Sequence, residues 1–253
     1  MIHDLKDITF LFIVRIDTIE RVENLLVSTG YLLSCFNTNI DVLEVASYNN
    51  GILKTLLDEK INYSFIKDDD PILFRTKYLN FMLNSTETSY VAVWDVDVIA
   101  AKEQIIESME FLRNDEAEFV LPYSGKCFDT SLIMRKLYLE TPQLEFLEKH
   151  KQLMKAMYPP QAVGGAFLCR LDAYRDIGFE NEEFYGWGVE DGDRFIRWEN
   201  SKYRTKRVTG NLFHLSHPRG LNSLPHNQDQ SFLKVRLLED VGRKTRLVKF
   251  KNK

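Results

Sequence analysis

The chain has 253 residues, of which 44% are hydrophobic and 28% are charged, and its formal net charge at pH 7 is −4. This composition is typical of a globular protein with a sizeable core, and the mild acidity argues against nucleic acid as a partner. Its three cysteines are scattered and form no CxxC pair, which argues against a disulfide framework or a zinc site and favours a reducing compartment.

The first residues, MIHDLKDITFLFIV, place acids before an apolar run and offer no small-residue cleavage site. We interpret this segment as the first β-strand of the fold rather than as a signal peptide. No apolar stretch approaches the roughly 20 residues that a membrane span requires. We therefore expect a cytoplasmic protein.

The first half of the chain alternates predicted strands with predicted helices. Apolar runs predict strands over residues 8–14, 41–47, 63–66, 90–99 and 119–122. Apolar residues at helical spacing predict helices over residues 19–36, 51–60, 74–83 and 105–112. The alternation predicts an α/β fold with a mostly parallel central sheet and flanking helices. Such sheets bind ligands beyond the carboxyl ends of their strands.

The second half is less regular. Residues 124–160 mix helical patterns with polar loops, and residues 164–170 (GGAFLCR) are extended and apolar. A helix is predicted to continue from an acidic cluster through Arg194–Trp198. Residues 207–217 (RVTGNLFHLSH) predict a strand that ends in two histidines.

Two aspartates end the strongest predicted strand, in the segment WDVDVIA. Asp95 and Asp97 are two residues apart, a spacing that puts both carboxylates on one face of a strand. Paired carboxylates suit Mg²⁺ or Mn²⁺, with substrate phosphates completing the coordination. Residues 68–70 have the same spacing but precede Pro71, and we interpret them as a solvated loop. We predict a metal site at Asp95 and Asp97, with a simple turn as the alternative.

His214 and His217 lie at the end of the predicted strand over residues 207–217, in the segment HLSHPRG. Imidazole binds Mn²⁺ or Zn²⁺ and can complete a site made of carboxylates and phosphates. His217 is the stronger candidate ligand, since the following Pro-Arg-Gly turn would fix its direction. A hydrogen-bonded or surface role is the alternative for either histidine.

Four more polar residues follow predicted strands or begin a predicted helix: Arg15, Asp17, Glu44 and Arg75. Carboxylates bind ribose hydroxyls or base N–H groups, and arginine binds phosphate. We predict that these residues form a nucleotide site, with surface ion pairs as the alternative. The chain has neither GxxxxGK[ST] nor GxGxxG, so a diphosphate bridged by a metal ion is the better hypothesis.

Residues 184–193 read FYGWGVEDGD, which joins aromatic side chains to three acids within four positions. An aromatic face beside carboxylates suits a sugar, which has apolar ring faces and hydroxyl groups. Glycines on both sides of Trp187 free the backbone and leave room beside the indole. The candidate sugar-binding residues are Tyr185, Trp187, Gly188 and Glu190. The alternative is a turn into a helix N-terminus, where the helix dipole favours acids.

The order of these motifs resembles the β-1,4-galactosyltransferase family and the related chondroitin-polymerase-type transferases. The shared features are a strand ending in DVD, a GGxF segment, FYGWGxEDxD and a strand with a terminal histidine. The resemblance implies a GT-A fold, in which a Rossmann-like, mostly parallel sheet carries a smaller subdomain on the acceptor side. It also implies a UDP-sugar donor, Mn²⁺, and inversion at the anomeric carbon.

The resemblance further implies a role for each matching residue. Metal ligands would be Asp97, His217 and His214; the nucleotide pocket would hold Arg15, Arg75 and Asp95. In the acceptor site, Trp187 would pack against the sugars beside the acidic pair Glu190 and Asp191. Asp191 would be the catalytic base, and Asp193 is expected to be structural. Gly192 stands where many relatives have an acidic residue. This difference affects the inference about the acceptor rather than the inference about the reaction.

We therefore expect a metal-dependent inverting glycosyltransferase that uses Mn²⁺ or Mg²⁺. It would move a hexose or N-acetylhexosamine, galactose-type by preference, from a UDP-sugar to a glycan hydroxyl in polysaccharide or surface-glycan synthesis. Two alternatives stay open. A nucleotidyltransferase would act on sugar phosphates, although the stretch after the first strand lacks a Gly-rich phosphate loop. A sugar-binding module would need the aromatic residues but neither metal nor base.

We predict one catalytic domain over residues 1–233, with a nucleotide-binding half to about residue 122 and an acceptor half over residues 123–233. Residues 234–253 form a basic tail, with eight Lys or Arg residues against Glu239 and Asp240. The tail is expected to be solvated and partly disordered. The alternative is a peripheral contact with an anionic membrane surface, where lipid-linked glycan acceptors are built.

Overall fold

The structure, a computed structural model, describes residues 2–157 and 161–223. Its strands are β1 (His3–Val14), β2 (Phe36–Ala46), β3 (Asn62–Lys67), β4 (Tyr90–Trp94), β5 (Val98–Ala100), β6 (Phe119–Leu121), β7 (Lys126–Asp129), β8 (Lys155–Ala156), β9 (Ala166–Arg170), β10 (Thr205–Arg207) and β11 (Asn211–His214). Its helices are α1 (Ile19–Cys35), α2 (Ile52–Leu56), α3 (Arg75–Ser85), α4 (Lys102–Arg113), α5 (Ser131–Glu140), α6 (Leu144–His150), α7 (Leu171–Asp176) and α8 (Glu190–Asn200). Among the described residues, no helix is long and apolar enough to cross a membrane.

Seven strands form the large sheet, in the order β10-β6-β9-β4-β1-β2-β3. The pairs β4–β1, β1–β2, β2–β3 and β10–β6 are parallel, whereas β9 runs antiparallel to both of its neighbours. Ile8, Phe10 and Phe12 on β1 are wholly buried, and Leu11 on the opposite face is 1% exposed. A strand buried on both faces is what the uninterrupted apolar run predicted. The prediction of a mostly parallel central sheet is confirmed.

Four short strands form a second sheet in the order β5-β11-β7-β8. Its own small core includes Ile99, Phe213 and Leu215, which pack with Tyr138 and Leu147 from the helices α5 and α6. The two sheets meet where β4 ends and β5 begins, and the candidate site lies at this junction.

The prediction of one strand over residues 90–99 is wrong, because the chain turns at Asp95–Asp97 and changes sheets. The turn is held by the Val98 amide, which donates to the Asp95 carbonyl (3.3 Å), and by the Trp94 indole, which donates to the Val98 carbonyl (3.0 Å). The predicted strand over residues 207–217 also divides, since β10 joins the large sheet and β11 the small one. Gly210 makes that change of direction with φ of 146°.

The predicted helix over residues 51–60 is shorter in the structure, where α2 ends at Leu56. The Asp58 carboxylate accepts a hydrogen bond from the Lys60 amide (2.9 Å), a local turn that competes with helix propagation.

Helix α8 is anchored to the large sheet by aromatic contacts. The Trp198 ring stacks on Phe119 of β6 with a centroid separation of 4.4 Å, and it meets the Phe167 ring of β9 edge-on at 4.9 Å. Trp198 is 1% exposed. These contacts fix the helix, so its acidic first turn is presented at the end of the sheet.

Candidate active site

Two adjoining cavities open where β1 and β4 end. The larger has a volume of about 480 Å³ and the smaller about 110 Å³. Both are lined by Arg75, Asp95, Trp187 and His214. Residues from the large sheet, the small sheet and the segment 184–193, here called the acidic motif, therefore meet around one cleft.

Asp97, His214 and His217 form a buried cluster between the two sheets. The Oδ2 atom of Asp97 lies 3.0 Å from Nε2 of His217 and 3.7 Å from Nε2 of His214. One donor atom of each residue lies within 4.8 Å of the other two, a separation at which a single metal ion can be held. The structure thus brings together the predicted aspartate and both predicted histidines.

The second nitrogen of each imidazole is held by an oxygen. Nδ1 of His214 lies 3.1 Å from Oδ1 of Asp129, and Nδ1 of His217 lies 2.8 Å from the Pro218 carbonyl. The Ser216 hydroxyl also donates to the Asp129 carboxylate. Because carboxylate and carbonyl oxygens accept hydrogen bonds, each Nδ1 can act as the donor, and each Nε2, which faces Asp97, could then offer its lone pair to a cation bound between them. This outer support is typical of histidines that bind metals.

Charge in the cluster is shared between the carboxylate and the imidazoles. Burial alone would raise the pKa of Asp97, but the adjacent His214 and His217 outweigh it and hold the pKa below its usual range. Burial would lower the pKa of His214, and the carboxylates of Asp97 and Asp129 raise it instead. An ionised carboxylate with two imidazole nitrogens is a donor set that suits Mn²⁺.

Asp95 lines both cavities but does not belong to this cluster. Its carboxylate accepts a hydrogen bond from Arg75. Burial and the charges of Asp97 and Asp191 raise the pKa of Asp95, while the guanidinium of Arg75 opposes that shift. The prediction that both aspartates face one cleft therefore agrees with their positions, although a turn rather than a strand face brings them there.

The smaller cavity is rich in arginine. Its arginines are Arg15, Arg21, Arg75 and Arg219. Nε of Arg15 donates to the Val45 carbonyl (2.9 Å) and Nη1 to the Asp70 carbonyl (2.6 Å), while its buried Nη2 has no hydrogen-bond partner in the described part of the chain. Arg21 and Arg219 were missed by the sequence analysis, although Arg219 follows the histidines in the segment HLSHPRG.

Two of the predicted nucleotide residues do not line either cavity. Glu44 is 2% exposed on β2 and accepts a hydrogen bond from the Tyr63 hydroxyl at 2.6 Å. Its side chain points to the neighbouring strand β3, so its position near a strand end does not bring it to the cleft. Asp17 is exposed at the start of α1 and pairs with Nε of Arg21 at 2.8 Å, so it reaches the smaller cavity only through that arginine.

The acidic motif forms one wall of the larger cavity. Trp187, Gly188, Glu190 and Asp191 all line it, and Trp187 also borders the smaller cavity. Gly188 has φ of 112°, a backbone conformation that favours glycine. The turn lets the chain pass from the tryptophan into the first turn of α8 within two residues.

Tyr185 is not in the lining of either cavity. Its hydroxyl donates to both carboxylate oxygens of Asp70, at 2.7 and 2.8 Å, and its ring packs edge-on against Phe74 with a centroid separation of 5.2 Å. The interpretation of residues 68–70 as a solvated loop therefore holds for the exposed Asp69 but not for Asp70, which is half-buried and links the acidic motif to the loop before α3.

Glu190 and Asp191 differ sharply in their surroundings. Glu190 is 5% exposed, and its buried Oε2 has no hydrogen-bond partner within the described residues. Burial and the adjacent charge of Asp191 raise the pKa of Glu190 to about 7. Asp191 is more open, and its Oδ1 accepts a hydrogen bond from Nη1 of Arg194 at 2.7 Å. The cavity therefore presents one acid that is partly neutral near pH 7 beside a carboxylate stabilised by a cation.

Asp193 lies outside both cavity linings. It is 1% exposed and pairs with Nε of Arg197 at 2.9 Å, one helical turn further along α8. This arrangement gives Asp193 a contact within the helix rather than with the cleft.

Residues 149–218 match the family model described as the N-terminal domain of galactosyltransferase. The matched segment contains Trp187, Glu190, Asp191, His214 and His217. No curated protein sequence matches the chain significantly. The family resemblance of the motifs is thus confirmed over residues 149–218, the segment that carries the acidic motif and both histidines.

Solved glycosyltransferases share the fold. The catalytic domain of Drosophila β-1,4-galactosyltransferase 7, crystallised with xylobiose, is 16% identical, with a TM-score of 0.52 over 92% of this chain and 80% of that one. A mutant of that Drosophila enzyme, crystallised with manganese, UDP-Gal and xylobiose, is 15% identical, with a TM-score of 0.55 over 91% and 79%. TarS of S. aureus is 13% identical, with a TM-score of 0.56 over 92% of this chain and 39% of that one.

The predicted GT-A fold is confirmed by these likenesses, which at such low identity concern the fold alone. The segment that the family model matches, residues 149–218, contains both the acidic motif and the two histidines. The chain is therefore a glycosyltransferase of GT-A fold that resembles the β-1,4-galactosyltransferases.

Proposed function

We propose that the protein is a metal-dependent, inverting glycosyltransferase that moves a hexose or N-acetylhexosamine, of galactose type, from a UDP-sugar to a hydroxyl group of a glycan. The observation that carries this proposal is the single cleft in which the Asp97–His214–His217 cluster and the Asp191 carboxylate open onto adjoining cavities. A metal site and a base are both required for this reaction, whereas a sugar-binding module needs neither.

The smaller cavity supports the donor side of the proposal. Its four guanidinium groups suit the negative charge of a nucleoside diphosphate. Asp97, His214 and His217 would hold Mn²⁺ or Mg²⁺, which when bound supplies Lewis-acid stabilisation of the departing diphosphate. The manganese and UDP-Gal bound by the Drosophila enzyme are consistent with this assignment.

The larger cavity supports the acceptor side. Trp187 offers an aromatic surface for a sugar ring, and the neutral form of Glu190 can donate a hydrogen bond to an acceptor oxygen. Asp191 then takes the proton of the attacking hydroxyl group, while the oxygen of that hydroxyl group bonds to the anomeric carbon. The bond from that carbon to the UDP oxygen breaks on the opposite face, so one displacement inverts the configuration.

We place this reaction in polysaccharide or surface-glycan synthesis. The sugar-binding surface of the larger cavity and the xylobiose bound by the Drosophila enzyme support a glycan acceptor. We further propose that the protein resides in the cytoplasm. The peripheral membrane contact considered for the basic tail concerns residues 234–253, which lie outside the described residues.

Metal-dependent nucleotide binding is the first test. Titration calorimetry with UDP should give binding in the presence of Mn²⁺ that weakens strongly after chelation, because the diphosphate and the cluster share one ion. His217→Ala should lose the Mn²⁺-dependent part of the binding and retain the rest. Absence of any UDP binding by the wild-type protein would favour a sugar-binding module. Conversion of UTP and a sugar phosphate to a nucleotide sugar would favour a nucleotidyltransferase.

Removal of the base is the second test. Asp191→Asn should lower transfer from a UDP-sugar by about 100-fold or more, since a positioned general base contributes about 100- to 10,000-fold. Binding of UDP with Mn²⁺ should persist, because Asp191 lines only the larger cavity. The exposed Asp69→Asn serves as the matched control and should transfer at the wild-type rate. Equal turnover by Asp191→Asn would remove Asp191 from the role of base.

A further inference from the structure

Arg194 is a buried arginine on α8 that joins two carboxylates. Its Nη1 donates to Oδ1 of Asp191 at 2.7 Å, and its Nε donates to Oε1 of Glu180 at 2.6 Å. The Tyr174 hydroxyl donates to the same oxygen of Glu180. The side chains of Arg194 and Glu180 are each 1% exposed, whereas that of Asp191 is 35% exposed. The network therefore begins in the core and ends at the cavity wall.

Stability alone is a poor explanation for this network. Removing a guanidinium and a carboxylate from water costs several kcal/mol for each ion by general estimates, and apolar replacements are often neutral or stabilising. Here Nη2 of Arg194 and Oε2 of Glu180 are buried without hydrogen-bond partners in the described part of the chain. The Arg194 guanidinium also lies 4.5 Å from the centroid of the Phe167 ring, where an apolar side chain would pack well.

We propose that Arg194 is a positioning residue, which Glu180 holds in place from the core and which orients the Asp191 carboxylate toward the acceptor. The proposal rests on the function assigned above to Asp191. It goes beyond that assignment by naming the two residues outside the acidic pair on which the orientation of the base depends.

The opposite side of Asp191 is bounded by Gly164. A Cβ atom built on Gly164 would lie 2.3 Å from Oδ2 and 3.0 Å from Cγ of Asp191. The carboxylate is therefore held between an arginine that bonds Oδ1 and a backbone that leaves room only for hydrogen beside Oδ2.

Arg194 is also the cation that bonds Asp191 directly. The other charged or titratable groups that face Asp191 are Arg75 from α3, Asp95 from the turn after β4, Tyr123 after β6 and Glu190 on α8. Arg75 is paired with Asp95, and the Tyr123 hydroxyl donates to the Gly164 carbonyl at 2.6 Å. Arg75 is thus engaged by Asp95, whereas Arg194 contacts the Asp191 carboxylate itself.

The test replaces both buried ions, so that neither is left uncompensated. Glu180→Gln with Arg194→Met keeps an acceptor for the Tyr174 hydroxyl and an apolar contact with Phe167. We expect kcat for transfer to fall by about 10- to 100-fold through misplacement of the base. The KM for the UDP-sugar should stay within about twofold, because none of these residues lines the smaller cavity. Single Arg194→Lys should recover part of the lost kcat.

The matched control removes a different ion pair from the same helix. Asp193→Asn with Arg197→Met deletes the contact one turn further on, and it should leave kcat unchanged even where it lowers the melting temperature. Binding of UDP with Mn²⁺ should be the same in all these variants, which would show that they are folded. A wild-type kcat in the Glu180/Arg194 double variant would overturn the positioning role. Full activity of Asp191→Asn would instead overturn the underlying assignment of the base.

Discussion

The position of the Asp191 carboxylate depends on the absence of a side chain at Gly164, where only a hydrogen atom fits. The φ angle of Gly164 lies outside the left-handed region, so an alanine could adopt the same backbone conformation. Space is the only restriction, since a Cβ atom would meet Oδ2 of Asp191 at 2.3 Å. Contacts that short do not occur, and either the carboxylate must rotate or the chain must shift.

We predict that Gly164→Ala impairs transfer without impairing donor binding. Displacement of the base should lower kcat by about 10- to 100-fold, since errors near 1 Å in a reacting group have costs of that order. UDP affinity in the presence of Mn²⁺, measured by calorimetry, should stay within about twofold because Gly164 borders only the larger cavity. Gly30→Ala, whose added Cβ meets no heavy atom within 4 Å, is the control. Wild-type kcat in Gly164→Ala would show that Asp191 has room to adapt.

Residue types were predictable at this site, but their partners were not. Aspartates at a strand end, paired histidines and a tryptophan between glycines are unusual patterns, and each was recognised from its residue types and its place along the chain. Arg194 and Asp129 were not recognised, because the chain has 33 Lys and Arg against 37 Asp and Glu. Many different ion pairs were compatible with that composition. The contact of Asp129 with His214 spans 85 positions in sequence and exists only once β7 and β11 have paired.

The small sheet is the element that brings separate motifs together in a candidate metal site. Strand β11 pairs with β5 so that His214 lies opposite Val98, and it pairs with β7 so that His214 lies opposite Asp129. The first pairing brings the histidine next to Asp97, the residue before β5. The second supplies the carboxylate that holds Nδ1. Both pairings fix the imidazole between its two oxygen neighbours.

The sequence could not predict this sheet, although it predicted the strands of the large one. The helix-connected strands β1 to β4 follow a repeating pattern, and their parallel order follows from short right-handed crossovers. Residues 90–99 are apolar on both sides of Asp95–Asp97, so hydrophobicity alone does not show that the chain changes sheets there. The small sheet is assembled from two to four residues per strand, which is too short for a periodic signal.

At the scale of the whole molecule, the cluster of Asp97, His214 and His217 connects the two sheets. Asp97 follows the large-sheet strand β4, whereas His214 belongs to the small sheet. Protein contacts already cross this junction, since the Leu215 amide donates to the Asp97 carbonyl at 2.7 Å and Nδ2 of Asn24 donates to the Leu215 carbonyl at 2.8 Å. An ion held by Asp97, His214 and His217 would reinforce the same junction and should stabilise the fold as a whole.

We predict that Mn²⁺ raises the melting temperature of the protein. At a concentration 100 times its Kd, a ligand that binds only the folded state stabilises it by about 2.7 kcal/mol. For a chain of this size that corresponds to an increase of about 5 to 10 °C, measured by differential scanning calorimetry.

His217→Ala should abolish the increase because it removes a ligand atom. Asp129→Ala should require about 10- to 100-fold more Mn²⁺ for the same increase, since it removes only the support of His214. Lys126→Ala, an exposed change on the same strand β7, should behave as wild type. An increase that survives in His217→Ala would place the bound ion elsewhere in the molecule and separate the cluster from metal binding.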